Sequence, residues 1–402
     1  SNHIGSTLCK IITDNDIKYI FDSVLFTTTR VSQTCIEYFI HGFLQEHKKL
    51  NRGFFVIKNI IDHYFAMEAE EQVITILKNS PVGKETWEIV YSMQDHLQTR
   101  FWLEINEINY AGYNISDILN LNEKDLEELI DQLISVKRYK FALEVIHYPN
   151  LFKKVNSKQL SSLLQLVLHK DQHQEPKQYT LRNYTIGEIF KELSERQDIS
   201  QKELAQLEFH YIDILQGTNH GIPNLNREFV DSPQFFINIL SAIQDSDGES
   251  SAYIRLQKVH FPKGIKDELI GTWITRTREL YVQSDLEKQG DYWVGYILSH
   301  NNKDHDNVWN PSETIKNVLE IINTDAIVQG IVNGIIDSRG AVYSTKGKRE
   351  REVADKYRKL AESLAFDYPF VEKIMEKLSS FYLSEARSFW EAQEKLERYV
   401  NG

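Results

Sequence analysis

Proline, glycine, cysteine and methionine are all scarce in this chain: 8 Pro, 18 Gly, 2 Cys and 3 Met in 402 residues. Average usage gives about 20 Pro and about 28 Gly at this length. Turn-dense all-β folds and glycine-rich nucleotide loops are disfavoured by that shortage. Two cysteines, Cys9 and Cys35, cannot build a disulfide framework, so a reducing cytoplasm is the expected setting. No run approaches the ~18 consecutive apolar residues of a membrane span, so no membrane association is expected. No secretory signal is expected either. Basic charge is in deficit: 46 Lys+Arg against 58 Asp+Glu leave −12. That balance counts against nucleic acid as a general partner, because such binding needs a basic face to displace counterions. The chain opens Ser1-Asn2, without methionine, and the opening predicts a cleavage scar on an internal fragment of a longer protein.

What is present is helical periodicity. Apolar residues are 41% of the chain, enough to fold, and the length exceeds one usual core. The spacing predicts helices over 16–28, 31–48, 52–65, 68–79 and 84–97. Asn122 opens a stretch with Leu126, Leu129, Ile130, Leu133 and Ile134, one buried helix face. Asn156 precedes Leu160, Leu163, Leu164, Val167 and Leu168. Ser200 and Glu203 form a capping box. Ser232-Pro233 and Asn310-Pro311 each place a cap residue before a proline at the first helical position, with Glu313 completing a second box. Val371, Ile374, Met375, Leu378, Phe381 and Tyr382 begin a long terminal helix. Strand signals are limited to Tyr253-Ile254-Arg255-Leu256 and Ala341-Val342-Tyr343.

Within 133–146, one amphipathic helix ends, a basic turn follows, and the next helix places a small Ala142 at a close approach. Tetratricopeptide-like helix pairs read this way. No strict repeat period exists. The expected fold is all-α: an irregular α-solenoid with few or no strands. Breaks are expected over 171–177, 216–226, 245–251 and 338–348. The Asp/Ser/Gly-rich stretch 245–251 is taken as the domain boundary, giving a helical-repeat region 1–245 and a C-terminal helical domain 252–402 with a basic loop at 338–351.

Few constellations carry chemistry. No phosphate-loop or dinucleotide fingerprint and no nucleophile elbow occurs. His169 and His173 lie four apart beside a helix end and read as solvated surface. His300, Asp304, His305 and Asp306 form the densest donor set; Asx turns explain it without a metal, and no metal or cofactor is expected. Cys35 is expected in the core. The segment 337–351 offers five cations, Arg339, Lys346, Lys348, Arg349 and Arg351, leading into a helix N-terminus, and is the candidate anion site. Trp293, Trp309 and Tyr343 are candidate partner contacts, because large aromatics anchor interfaces.

Several segments together resemble the C-terminal helical region of large, poorly characterised bacterial multidomain proteins. These are Phe101-Trp102, 125–133, 137–143, 204–211, 229–236, 299–311 and 337–342. The pattern departs at Asp337, which is Asn there, and by an extra residue at Asn310. The resemblance covers roughly residues 85 to 390, and its motifs are structural. It implies a region behind effector or NTPase-type domains in defence or signalling proteins, with no catalytic residues to carry over. The expected function is a non-catalytic scaffold or sensor region, binding a protein partner or an adjacent domain of its parent chain. The rival expectations are a nucleotide- or nucleic-acid-responsive module using the basic loop, and an enzyme built on the 300–306 loop.

Overall fold

The computed structural model describes residues 2–26, 33–50, 52, 54–105, 118–147, 150–168, 183–244, 251–301, 308–339 and 347–401, with side chains to Glu394. Among these residues the chain is all helical, with no strand and 22 α-helices, and a helical-repeat arrangement fits. No helix is long and apolar enough to cross a membrane among the described residues. Contacts divide the chain into two units, Ser1–Ile199 and Ser200–Gly402.

The first unit holds α1 (Asn2–Ile11), α2 (Asp14–Leu25), α3 (Gln33–Lys49), α4 (Phe55–Ala66), α5 (Glu70–Lys78), α6 (Lys84–Ser92) and α7 (Asp95–Glu104). It continues with α8 (Glu123–Ser135), α9 (Tyr139–His147), a 3-10 turn (Leu151–Lys154), α10 (Ser157–Val167) and α11 (Asn183–Glu195). From α4 to α10 the helices pack mainly on those one or two places further along the chain, as expected where no helix can bury its apolar stripe alone. Leu126, Leu129, Ile130 and Leu133 are buried as the spacing requires. The Asn122, Asn156 and Ser200 side chains accept the N–H three residues on, as helix caps do. The basic turn has a specific use. Arg138, buried, donates to the carbonyls of Trp102 (3.2 Å) and Ile105 (2.7 Å) and lies over the Phe141 ring. It satisfies the open carbonyl end of α7.

The second unit holds α12 (Gln201–His210), α13 (Ile212–Leu215), α14 (Pro223–Asp231), α15 (Pro233–Gln244), α16 (Ser251–Leu256), α17 (Asp267–Gln283) and α18 (Glu287–Leu298). The rest is α19 (Glu313–Ile322), α20 (Asp325–Asp337), α21 (Lys348–Leu364) and α22 (Pro369–Asn401). One core runs from Ala205 to Tyr382. Its densest part surrounds Trp273, whose centroid lies 4.9 Å from Phe229, 5.4 Å from Phe236 and 5.0 Å from Phe261, and whose indole N–H donates to the Phe229 carbonyl. Helices α18 and α20 cross backbone against backbone: a Cβ on Gly330 would lie 1.9 Å from the Tyr292 carbonyl oxygen, and one on Gly295 2.3 Å from that of Ile327.

Four expectations change. The boundary at 245–252 falls inside the second unit, because α15 and α16 contribute to one continuous core; 245–250 themselves lie outside the described residues. Residues 253–256 are helical, not extended, since Tyr253 packs on Trp293 and Leu256 enters the core. The helix expected at Pro311 starts at Glu313, because Ser312, not Asn310, accepts the Ile315 N–H. Cys35 is exposed; the buried face of α3 is Ile36, Phe39, Ile40, Phe43 and Leu44, and the buried thiol is Cys9. Ala341, Val342, His169 and His173 lie outside the described residues.

Candidate functional site

The basic segment is divided by its geometry. Arg339 follows the last turn of α20. Its Nη2 lies 3.7 Å from Glu350 on α21, its Nη1 lies 3.5 Å from Glu385 on α22, and its guanidinium carbon sits 5.1 Å from the Tyr382 centroid. Glu350 is buried, so the guanidinium neutralises a carboxylate inside the protein. Burial drives the Tyr382 hydroxyl above its usual range, and Arg339 pulls the other way. Arg339 is thus a clamp between three helices, its charge shared with Glu350 and Glu385. Lys348, Arg349 and Arg351 are exposed on the first turn of α21. Lys346 and Tyr343 lie outside the described residues.

The two candidate tryptophan contacts are both 1% exposed and belong to the core. Trp293 is ringed by Tyr253 at 4.9 Å, Tyr296 at 5.3 Å and Tyr292 at 5.6 Å. Trp309 donates its indole N–H to the Leu298 carbonyl and its backbone N–H to Tyr357 Oη. Both rings are buried, and the indole N–H of Trp309 is satisfied inside the protein, so both act as packing anchors of the second unit's core. His300 stacks on His260 at 4.3 Å, with Nδ1 3.0 Å from the Tyr296 carbonyl oxygen. Asp304, His305 and Asp306 lie outside the described residues. Among the described residues no group of three or more His, Cys, Asp or Glu is placed to hold a metal ion.

Sequence reasoning missed the buried carboxylates. Asp291 accepts from the Tyr281 hydroxyl, from Arg278 Nε (3.2 Å) and from Thr324 Oγ1 (2.8 Å), tying α17, α18 and the N-cap of α20 together. Burial first, and then Asp291, push the Tyr281 hydroxyl far above its usual range. Glu208 accepts from Asn224 Nδ2 and the Leu225 N–H, both at 2.7 Å, and lies 2.9 Å from His220 Nε2. The signal was available for Asp291: an acid three residues before Val294 and seven before Leu298 occupies the core-facing stripe of α18. Fixed donors occupy these carboxylates, so they lock helices rather than offer a base to a substrate.

The opposite anomaly is at the turn between α21 and α22. Phe366 is 95% exposed there, and Ile321 at the end of α19 is 83% exposed. The turn is nonetheless held. The Glu320 carboxylate accepts the N–H groups of Phe370 (2.9 Å) and Val371 (3.0 Å), capping the first turn of α22 from outside. Beside it the Tyr368 hydroxyl is raised by desolvation, then by Glu313, Asp367 and Glu320, while Lys316 lies 5.6 Å from the ring. The tip is therefore apolar, fixed and negatively biased.

Comparisons with protein families, characterised proteins and solved structures find no match to this chain.

Proposed function

We propose that this chain is a non-catalytic scaffold or sensor region, an irregular solenoid-like array from a larger bacterial protein, that docks a protein partner or a neighbouring effector domain. The carrying observation is the α21–α22 tip. Phe366 faces water on a turn whose following helix Glu320 caps, and Ile321, next to Glu320 on α19, is exposed as well. An exposed aromatic on a turn whose backbone is held at one end loses less backbone freedom on docking, which is what interface anchors require. The internal use of Asp291, Glu208 and Arg339 supports a structural rather than a catalytic reading.

The test compares partner capture by the wild-type chain with capture by a Phe366→Ser, Ile321→Ser double variant, both shown to melt alike. A partner held by the first and lost by the second is expected. Identical sets of bound proteins would refute docking at the tip.

The anion reading keeps one specific support, the exposed Lys348, Arg349 and Arg351. It predicts binding of a nucleotide or oligonucleotide that weakens steeply with salt. A salt-independent isotherm, or no binding at low salt, removes it.

A further inference from the structure

In the second unit, a recess of about 420 Å³ opens beside the first turn of α18. That volume would admit a small molecule, and the recess is open to solvent rather than enclosed. Its wall holds Gln244 at the end of α15, Asp285, Leu286, Lys288 and Gln289 around the corner between α17 and α18, and Tyr292 one turn on.

Three features describe this wall. The side chains of Gln244, Asp285 and Lys288 are exposed and that of Gln289 is half-buried, and none of the four makes a hydrogen bond or ion pair with another described residue, which leaves their polar groups open to solvent at the recess. Their neighbours behave differently: Arg278 binds Glu287 (2.7 Å), and Asp291 has a full set of donors. Second, Tyr292 is fixed from behind. Its Oη accepts from Asn333 Nδ2 (3.2 Å), and Asn333 Oδ1 accepts from Gln329 Nε2 (2.7 Å). Third, Asp285 has φ +58 at the position that ends α17, where the Leu286 N–H returns to the Tyr281 carbonyl. Glycine serves there most cheaply, yet the corner carries Asp285, which lines the recess.

We propose that this recess binds a small zwitterion of the amino-acid or short-peptide class. Asp285 takes the ammonium, Lys288 takes the carboxylate, and the amides of Gln244 and Gln289 serve a peptide group. Tyr292 and Leu286 cover the apolar side chain. A simple anion would face Asp285 and a simple cation would face Lys288, so only a ligand carrying both charges matches both.

Isothermal titration of the full chain with free α-amino acids, dipeptides, and their N-acetyl and methyl-ester derivatives tests this. Saturable binding of an amino acid or dipeptide is expected, weakened about tenfold or more by blocking either charge. Asp285→Asn, which keeps a residue tolerant of the left-handed backbone, and Lys288→Ala should each weaken it by a similar factor. Binding of dipeptides alone assigns a peptide source, and binding of free amino acids a metabolite source; either supports the proposal. No saturation by any member up to millimolar concentration overturns it. So does binding that survives acetylation, or that persists in the Asp285→Asn, Lys288→Ala double variant.

Discussion

Gly330→Ala probes the tightest glycine site among the described residues. On an isolated helix the change stabilises by about 1 kcal/mol, because alanine outranks glycine in helix propensity. In α20 the added methyl would meet the Tyr292 carbonyl oxygen at 1.9 Å, about 1.5 Å inside ordinary contact. The obstacle is backbone, so no rotamer relieves it; α18 and α20 must separate and loosen Val294, Ile327 and Ile331, all buried. Overpacking costs about 1–3 kcal/mol and more when nothing can yield. The net expectation is destabilisation of about 2 kcal/mol. For a unit spanning Ser200–Gly402, that lowers the melting temperature by about 4–8 °C. Gly271→Ala is the control, since its methyl would meet only side-chain methyl groups, Thr314 Cγ2 at 3.3 Å and Val318 Cγ2 at 3.6 Å. It should be neutral or stabilise by up to about 1 kcal/mol. Melts followed at 222 nm decide the matter. If Gly330→Ala melts no lower than Gly271→Ala, the backbone-to-backbone crossing is wrong.

Arg339→Ala should destabilise by about 3 kcal/mol in urea titrations, since it strips Glu350 of its guanidinium while the carboxylate stays buried; exposed Lys348→Ala should change stability by less than about 0.5 kcal/mol. Equal effects of the two substitutions would contradict the clamp. Thiol titration of the folded protein should count one fast-reacting cysteine, exposed Cys35. Cys9 should react only on unfolding, its thiol buried and pushed up to about 11. Two fast thiols would place α1 wrongly on α3. Burial, then the Arg52 charge, hold the His47 imidazole below its usual range against an opposing pull from Asp14. The unfolded chain therefore takes up the proton at higher pH than the folded one. The stability tied to His47 is complete above about pH 6.5 and is lost as pH falls through that value towards the lower folded one. His47→Phe should flatten the stability profile below about pH 6.5; an unchanged slope would show that His47 is not held neutral by the fold.

Local information carried the helices. Apolar stripes with a 3.6-residue period and side-chain caps act within one or two turns, so the stripe of Leu126 to Leu133 and the caps Asn122, Asn156 and Ser200 could be read without neighbours. Even local rules slipped where two caps competed, as with Asn310 and Ser312. Whether a polar or aromatic side chain is inside or outside depends on which helices meet it, and that is not local. Trp293 and Trp309 could serve either a surface or a core, and neighbouring helices buried them. Arg339 belonged by composition to a basic loop, yet Glu350 within that same segment and Glu385 on α22 made it an internal counter-ion. Phe366 attracted no notice in sequence because a lone Phe in a turn usually finds a core; here Glu320 fixes the turn so that it does not. Periodicity determined the all-helical chain because backbone hydrogen bonds and one buried face are decided within a few residues. The pairing of charges, the close helix crossing and the exposed tip were decided only by tertiary structure, because each depends on groups brought together across long stretches of chain.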